Sequence, residues 1–365
     1  MTGTGTRLAA TFRTRAALGL RPVTAPIMVF VPIGILLGPS ASGILPPGAL
    51  AHLDVVISIA LATLGVFIGI AAGTRTTVPR RLFAAATVEA TVTILVVTFA
   101  LLVLLRAWRV PLLMPVGLVA VALGICASSS AAIAASAADG AVRRIASQVA
   151  DLDDVLPILA GGVVLSLAAG STAAATSAAA TVLVGLAIGG CGWLLFERSE
   201  GAERGVFVFG ALTLLGGAAA YLAQSPLLTG MAAGWVWAVS PGGTDRVVTG
   251  ELRKVQHPLV VLLLVTAGAG LTWSPAGLWL FAPYVLFRFG GKIVGGWTAS
   301  RIAPGVAPSD LGSYLIPPGV IGIAFALNLQ QVAPEAMDPI VFAVAAGAIA
   351  CEILGLLVVP PAVVP

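Results

Sequence analysis

Ionisable side chains are scarce in this chain. Charged residues make up 9% of its 365 positions against 59% hydrophobic ones, and the mean hydropathy is +1.06, values far from those of soluble domains. A water-facing globular fold is excluded. Histidine occurs twice and cysteine three times. Cys126, Cys191 and Cys351 all lie in apolar segments with no CxxC or Cys/His spacing, which argues against a disulfide framework or a structural zinc site. There is no low-complexity tract, long linker or short-period repeat, and nothing in the sequence supports binding to nucleic acid. The net charge of +4 needs another explanation.

What fills the chain is a series of apolar runs, most of them able to cross a hydrocarbon core roughly 30 Å thick. About twelve spans are expected, at roughly 24–38, 54–73, 82–105, 112–137, 145–168, 174–196, 205–222, 225–240, 256–272, 276–300, 309–330 and 338–359. The fold class is therefore an all-α polytopic membrane protein: one transmembrane domain over 24–365, behind a cytoplasmic leader of residues 1–23. With the N-terminus inside, the segments between spans place all but four of the 19 basic residues on the cytoplasmic side. The exceptions are Arg106 and Arg109 outside, and Arg288 and Lys292 within spans. The positive-inside rule thus accounts for the charge and predicts an even number of spans with both termini cytoplasmic. Trp108, Trp237 and Trp273 read as anchors at the membrane interfaces.

Two spans look broken near their middles. The fourth carries "CASSSAAIAAS" with Ser128, Ser129 and Ser130, and the eleventh carries "LIPPGVIG", where Pro317 and Pro318 remove two backbone donors and Gly319 loosens the turn. Backbone groups freed in hydrocarbon cost several kcal/mol each unless they face a cavity or an ion, so paired breaks at mid-membrane point to a binding site.

The charges inside spans point to the same place. An ionisable group at a helix centre costs about 2.5 to 3.5 kcal/mol on insertion scales and is usually functional. At roughly 1.5 Å per residue, Asp153, counted from Arg144, and Lys292, counted from Arg301, both lie roughly 14 Å deep. Glu89 and Glu352 come out at about 12 Å, and Arg288 lies one turn outward of Lys292. Asp153 and Asp154 diverge by about 100° around a helix, so one can face Lys292 while the other faces a cavity. Asp151 lies on the Asp154 side, toward a cytoplasmic funnel. Neighbouring carboxylates at that depth cannot both ionise cheaply, and a lysine offsets the cost, so a proton and a hard cation compete for the same oxygens.

These pieces resemble a known family. "GILLGPSASGILPP" followed by "ATLGVFIGIAAG", "ADLDDVLPIL", "GGKIVGGWTASRI" and "ACEILGLLVVP" resemble, in order, segments of monovalent cation:proton antiporters of the sodium/proton exchanger superfamily. The adjacent aspartates with a downstream lysine are the specific part. The resemblance implies that Asp154 binds the ion, that Asp153 shares the Na⁺ site and pairs with Lys292, and that Ser128, Ser129 and Ser130 lie beside the ion with the Pro317–Gly319 break. Asp151, Glu89, Arg288 and Glu352 would be accessory. It further implies two inverted five-helix repeats with crossed discontinuous helices. Core helices would occupy about 82–168 and 276–359, dimerisation helices about 24–73 and 205–272, and a linker helix about 174–196. The expected protein is a homodimer of the plasma membrane, of the bacterial inner-membrane type, with no cofactor and no enzymatic activity. It would exchange Na⁺, or Li⁺ or K⁺, for protons. Aspartate at position 153 resembles the electrogenic branch, in which more than one proton moves per cation. The sequence departs from the family's pattern at Pro157, where a glycine is common.

Three rival classes remain at the level of sequence, of which a channel or structural scaffold is disfavoured by the buried titratable cluster. A sodium-coupled symporter of an organic anion would use Arg288 as a ligand, and an intramembrane aspartyl protease would need two aspartates facing one water.

Overall fold

The computed structural model describes residues 26–74, 80–108, 112–134, 136, 140–168, 174–199, 202–332 and 334–358. The leader, Arg75 and Arg109 lie outside them. Among the described residues the regular elements are all helices, joined by turns and short extended segments, two of which meet in an isolated bridge between Ser128 and Pro318. The helices are α1 (Pro26–Leu37), α2 (Pro47–His52), α3 (Asp54–Thr74), α4 (Arg80–Trp108), α5 (Val116–Gly124), α6 (Ser130–Ala134), α7 (Gly140–Asp153) and α8 (Val155–Ala168). They continue with α9 (Ala174–Arg198), α10 (Ala202–Tyr221), α11 (Pro226–Val239), α12 (Thr244–Ala269), α13 (Pro275–Ile302), α14 (Leu311–Tyr314), α15 (Val320–Val332) and α16 (Pro334–Val358).

Six of these, α3, α4, α9, α10, α12 and α16, are long and apolar enough to cross a membrane on their own. Helices α1, α11 and α15 are shorter apolar segments. Helix α13 has the length, at 28 residues, but carries Arg288 and Lys292 in its buried face. The result is a polytopic membrane protein.

Three expectations from sequence need correction. The run at 145–168 is not one helix: it splits into α7 and α8 with a turn at Asp154. Pro157 is the cause, because it has no N–H to give to the carbonyl of Asp153. The ladder resumes only with the Ile158 N–H on the Asp154 carbonyl at 3.2 Å. The ninth run starts not near 256 but at Thr244, since its polar first turns continue as helix. Trp237 is no interfacial anchor: it is fully buried and donates its indole N–H to the Gly189 carbonyl at 2.8 Å.

Helix association inside a bilayer gains little from apolar burial, so backbones must approach closely, which small residues permit. The pairing of α3 with α11 is built this way. Gly65 and Gly69 meet the backbone of Leu227 and Met231, while Gly230 and Gly234 meet Ala62 and Val66 in return. Helices α1 and α12 touch at Gly34 and Gly268 in the same manner. The glycines around Lys292 bring α13 against α4 and α14, with Gly291 and Gly295 facing Thr93 and Glu89, and Gly296 facing Gly312.

A side chain at Gly230 has nowhere to go, whereas one at Gly217 meets open space. Gly230→Ala is expected to cost about 1 to 3 kcal/mol by overpacking, read as a fall in the thermal unfolding midpoint of the purified protein. Gly217→Ala is expected to melt like the parent chain.

Candidate functional site

The two broken helices meet. Between α5 and α6 the chain is extended from Ile125 to Ser129, and between α14 and α15 it is non-helical from Leu315 to Gly319. The segments run antiparallel, with the Ser129 N–H on the Pro317 carbonyl at 2.9 Å and the Gly319 N–H on the Ala127 carbonyl at 3.2 Å. Groups left over by the helix breaks thereby satisfy one another, as a non-aqueous setting demands. The prolines fit this logic: Pro317 and Pro318 have no N–H that could be orphaned. Gly319 is required by contact, since a Cβ there would stand 2.7 Å from the Ser128 carbonyl oxygen.

Each expected serine has its own place in the crossing. The Ser128 hydroxyl lies 2.8 Å from Asp153 Oδ2 and 3.0 Å from the Leu315 carbonyl. It has one proton to share between them. Ser129 accepts the Ala132 N–H at 3.2 Å and so caps α6, while Ser130 opens that helix.

Three fully buried charges converge beside the crossing from three helices. Lys292 on α13 donates to Asp153 Oδ2 at 2.9 Å and lies 3.1 Å from Glu89 Oε1 on α4. Glu89 Oε1 also accepts from the Thr93 hydroxyl at 2.9 Å, and Thr93 stands 3.1 Å from the Gly291 carbonyl. Sequence depth placed Glu89 near this level but not on the lysine, and it did not single out Thr93. The available signal was spacing: Thr93 follows Glu89 by four residues and shares its helix face.

Asp154 looks the other way. The turn that ends α7 leaves Asp153 sealed among Ser128 and Lys292, and Asp154 borders a cavity of about 770 Å³. Asp151 lines it too, with Thr74 at the end of α3 and Asp245, Arg246 and Arg253 on the first turns of α12. A second cavity of about 390 Å³ opens toward the other end of α3, lined by Asp54, Ser58, Gln224, Asn328 and Gln331. Between the two along α3 lies an apolar cluster that includes Ile68, Ile158, Leu228, Met231 and Ile321. On the far side of it the helices are tied by the Ser225 hydroxyl on Asn328 Oδ1 at 2.9 Å and by Gln331 Nε2 on the Asp54 carbonyl at 2.9 Å.

Arg288 belongs to neither the lysine cluster nor the lining of these two cavities. It is buried, donates to the Ala127 carbonyl at 2.7 Å, and has Tyr284, Cys126, Cys351 and Glu352 around it. The guanidinium thus supports a backbone oxygen at the crossing. Chemically, the arrangement offers a hard-oxygen site at a water-accessible edge, backed by a sealed carboxylate and ammonium pair.

No protein-family model matches the chain, and a search of curated proteins finds no match. Among solved structures, the chain is similar to the sodium proton antiporter MjNhaP1 from Methanocaldococcus jannaschii at pH 8. The TM-score is 0.62 at 15% identity, and the match covers 91% of each chain. At that identity the likeness is one of fold, and it runs over nearly the full length of both proteins.

Removing Lys292 leaves two buried carboxylates without a cation. Lys292→Met is expected to destabilise the protein by about 3 to 5 kcal/mol, the usual cost of breaking a buried pair from one side. Thermal unfolding would read it against Lys254→Met, whose exposed pair with Glu251 is expected to leave the midpoint unchanged.

Proposed function

We propose that this protein is a secondary antiporter that exchanges a monovalent cation, Na⁺ ahead of Li⁺ or K⁺, for protons. One observation carries the reading. Two adjacent aspartates at the crossing of two broken helices are divided, Asp153 to a buried lysine and Asp154 to an open cavity. A fold shared with a solved sodium proton antiporter supports it.

In this reading Asp154 is the exchanging carboxylate, reached through the larger cavity past Asp151. Protons leave Asp154 and the Asp153/Lys292 pair when the cation enters, and reprotonation on the other side displaces it. With aspartate at both positions, more than one proton moves per cation and the exchange is electrogenic. The apolar cluster and the Asn328 and Gln331 ties close the opposite path, so access alternates when the core helices shift. Ser128, Ser129 and Ser130 and the Pro317–Gly319 segment line the site from the crossing.

The same proposal extends to the architecture. The core comprises about 82–168 and 276–359, arranged as two inverted five-helix repeats. A dimerisation scaffold comprises about 24–73 and 205–272, joined to the core by the helix at about 174–196. The working form is a homodimer in the plasma membrane with both termini cytoplasmic, and the protein carries its cargo without converting it.

The rival readings lose their residues. Arg288 is occupied by the Ala127 carbonyl and is not presented to an organic anion. Asp153 and Asp154 face different surroundings, so they do not flank one water as a protease would need.

In proteoliposomes with an imposed pH gradient, Na⁺ is expected to dissipate the gradient and Asp154→Asn to abolish that response. Retained exchange in Asp154→Asn would overturn the mechanism. Challenge with Li⁺ and K⁺ gives the selectivity, and dependence on an imposed membrane potential gives the electrogenicity.

A further inference from the structure

Lys292 has two carboxylate partners, and the exchange mechanism uses only one of them. Asp153 and Glu89 come from different helices, α7 and α4, and reach the same ammonium at 2.9 and 3.1 Å with no exposure to solvent on any of the three side chains. The two partners are held differently. Glu89 sits inside the glycine-packed seam of α4 and α13: a Cβ at Gly295 would stand 2.6 Å from the Thr93 hydroxyl and 2.8 Å from the Glu89 carbonyl. The Thr93 hydroxyl further pins its Oε1 at 2.9 Å. Asp153 accepts from the Ser128 hydroxyl at 2.8 Å in the same way, and one oxygen of each carboxylate, Asp153 Oδ1 and Glu89 Oε2, lacks a hydrogen-bond partner among the described residues, so the difference is one of placement: Asp153 is the last residue of α7, at the turn that Pro157 imposes. One partner is fixed to the helix that carries the lysine, and the other stands at a helix end.

This asymmetry has a physical use. A protonated lysine with no counter-charge is very costly in a membrane core. If Asp153 were its sole partner, every approach of a cation to Asp153 would strand the ammonium. We infer that Glu89 is a positioning residue: it holds Lys292 in its charged form and in place whenever Asp153 turns to the transported cation. Lys292 then stays paired through the cycle, and the charge that changes hands resides on the aspartates. The inference rests on the roles given to Asp153 and Lys292 under Proposed function. Arg288, one turn away on the buried face of the same helix, adds a second positive charge to α13 while donating to the Ala127 carbonyl.

Two measurements on the full-length purified protein test it. The first is a stability cycle. Asp153→Asn and Glu89→Gln are each expected to lower the unfolding midpoint modestly, because the remaining carboxylate still holds the ammonium. The double variant is expected to fall by far more than the sum, and adding Lys292→Met to it is expected to restore most of the loss. Additive effects would overturn the shared pairing, whatever the protein transports. The second is transport in proteoliposomes. Glu89→Gln leaves Lys292 dependent on Asp153 alone, so the apparent KM for Na⁺ is expected to rise at least tenfold with the maximal rate largely kept. Glu89→Asp is expected to recover part of the affinity. A fall in maximal rate at unchanged KM would assign Glu89 to structure only and overturn the inference. If the parent chain itself exchanges no monovalent cation, the antiporter reading fails, and the stability cycle still decides the pairing.

Discussion

An ammonium buried between the helices of a membrane protein constrains everything around it. Lys292 is fully buried, and a charge in that position survives only with counter-charges and hydrogen bonds close by. The chain supplies them from three directions. Glycines on both sides of the lysine thin α13 so that α4 and α14 can reach its backbone, and α7 ends on the aspartate that meets the side chain. The same requirement explains why so apolar a sequence keeps Glu89 and Asp153 at all, since neither would be tolerated there without the lysine.

The helix crossing answers a second constraint, which concerns the backbone. Interrupting α5/α6 and α14/α15 at mid-depth frees amides and carbonyls that no water is at hand to satisfy. They are paired across the crossing by the Ser129 and Gly319 amides, and the Ala127 carbonyl takes a further bond from Arg288. Arg288 therefore shares a helix with Lys292 yet serves a different need: it steadies the broken backbone, whereas Lys292 balances side-chain charge. Ser128 links the two systems, lying within hydrogen-bond distance of both Asp153 and the Leu315 carbonyl.

Much of this was legible in the sequence because membrane folds are governed by length and depth. The positions of the apolar runs follow from hydrophobicity, and the common level of Asp153 and Lys292 follows from the rise per residue. What escaped was azimuth. Counting residues gives how deep Glu89 lies but not which neighbour its face meets, and that depends on the glycines that set the α4 to α13 approach. The break at Asp154 escaped for a different reason. Pro157 was visible, but the effect of a proline falls on the carbonyl four residues earlier, which here is Asp153. Trp237 was misread because an aromatic near a helix end can anchor at the interface or fill a seam between helices. Gly189 and Gly192 on α9 make room for the second.

That displaced break also explains why two neighbouring aspartates need not be equivalent. On an unbroken helix they would differ only by rotation, about 100° apart, and both would stay tied to the same rigid rod. With the ladder interrupted between them, Asp153 closes one helix against a buried cation, and Asp154 sits in the turn at the edge of a cavity. Their surroundings then separate, one dry and paired and the other open to water on one side. Pro157, which has no N–H to give to the Asp153 carbonyl, is thus the residue that creates this division.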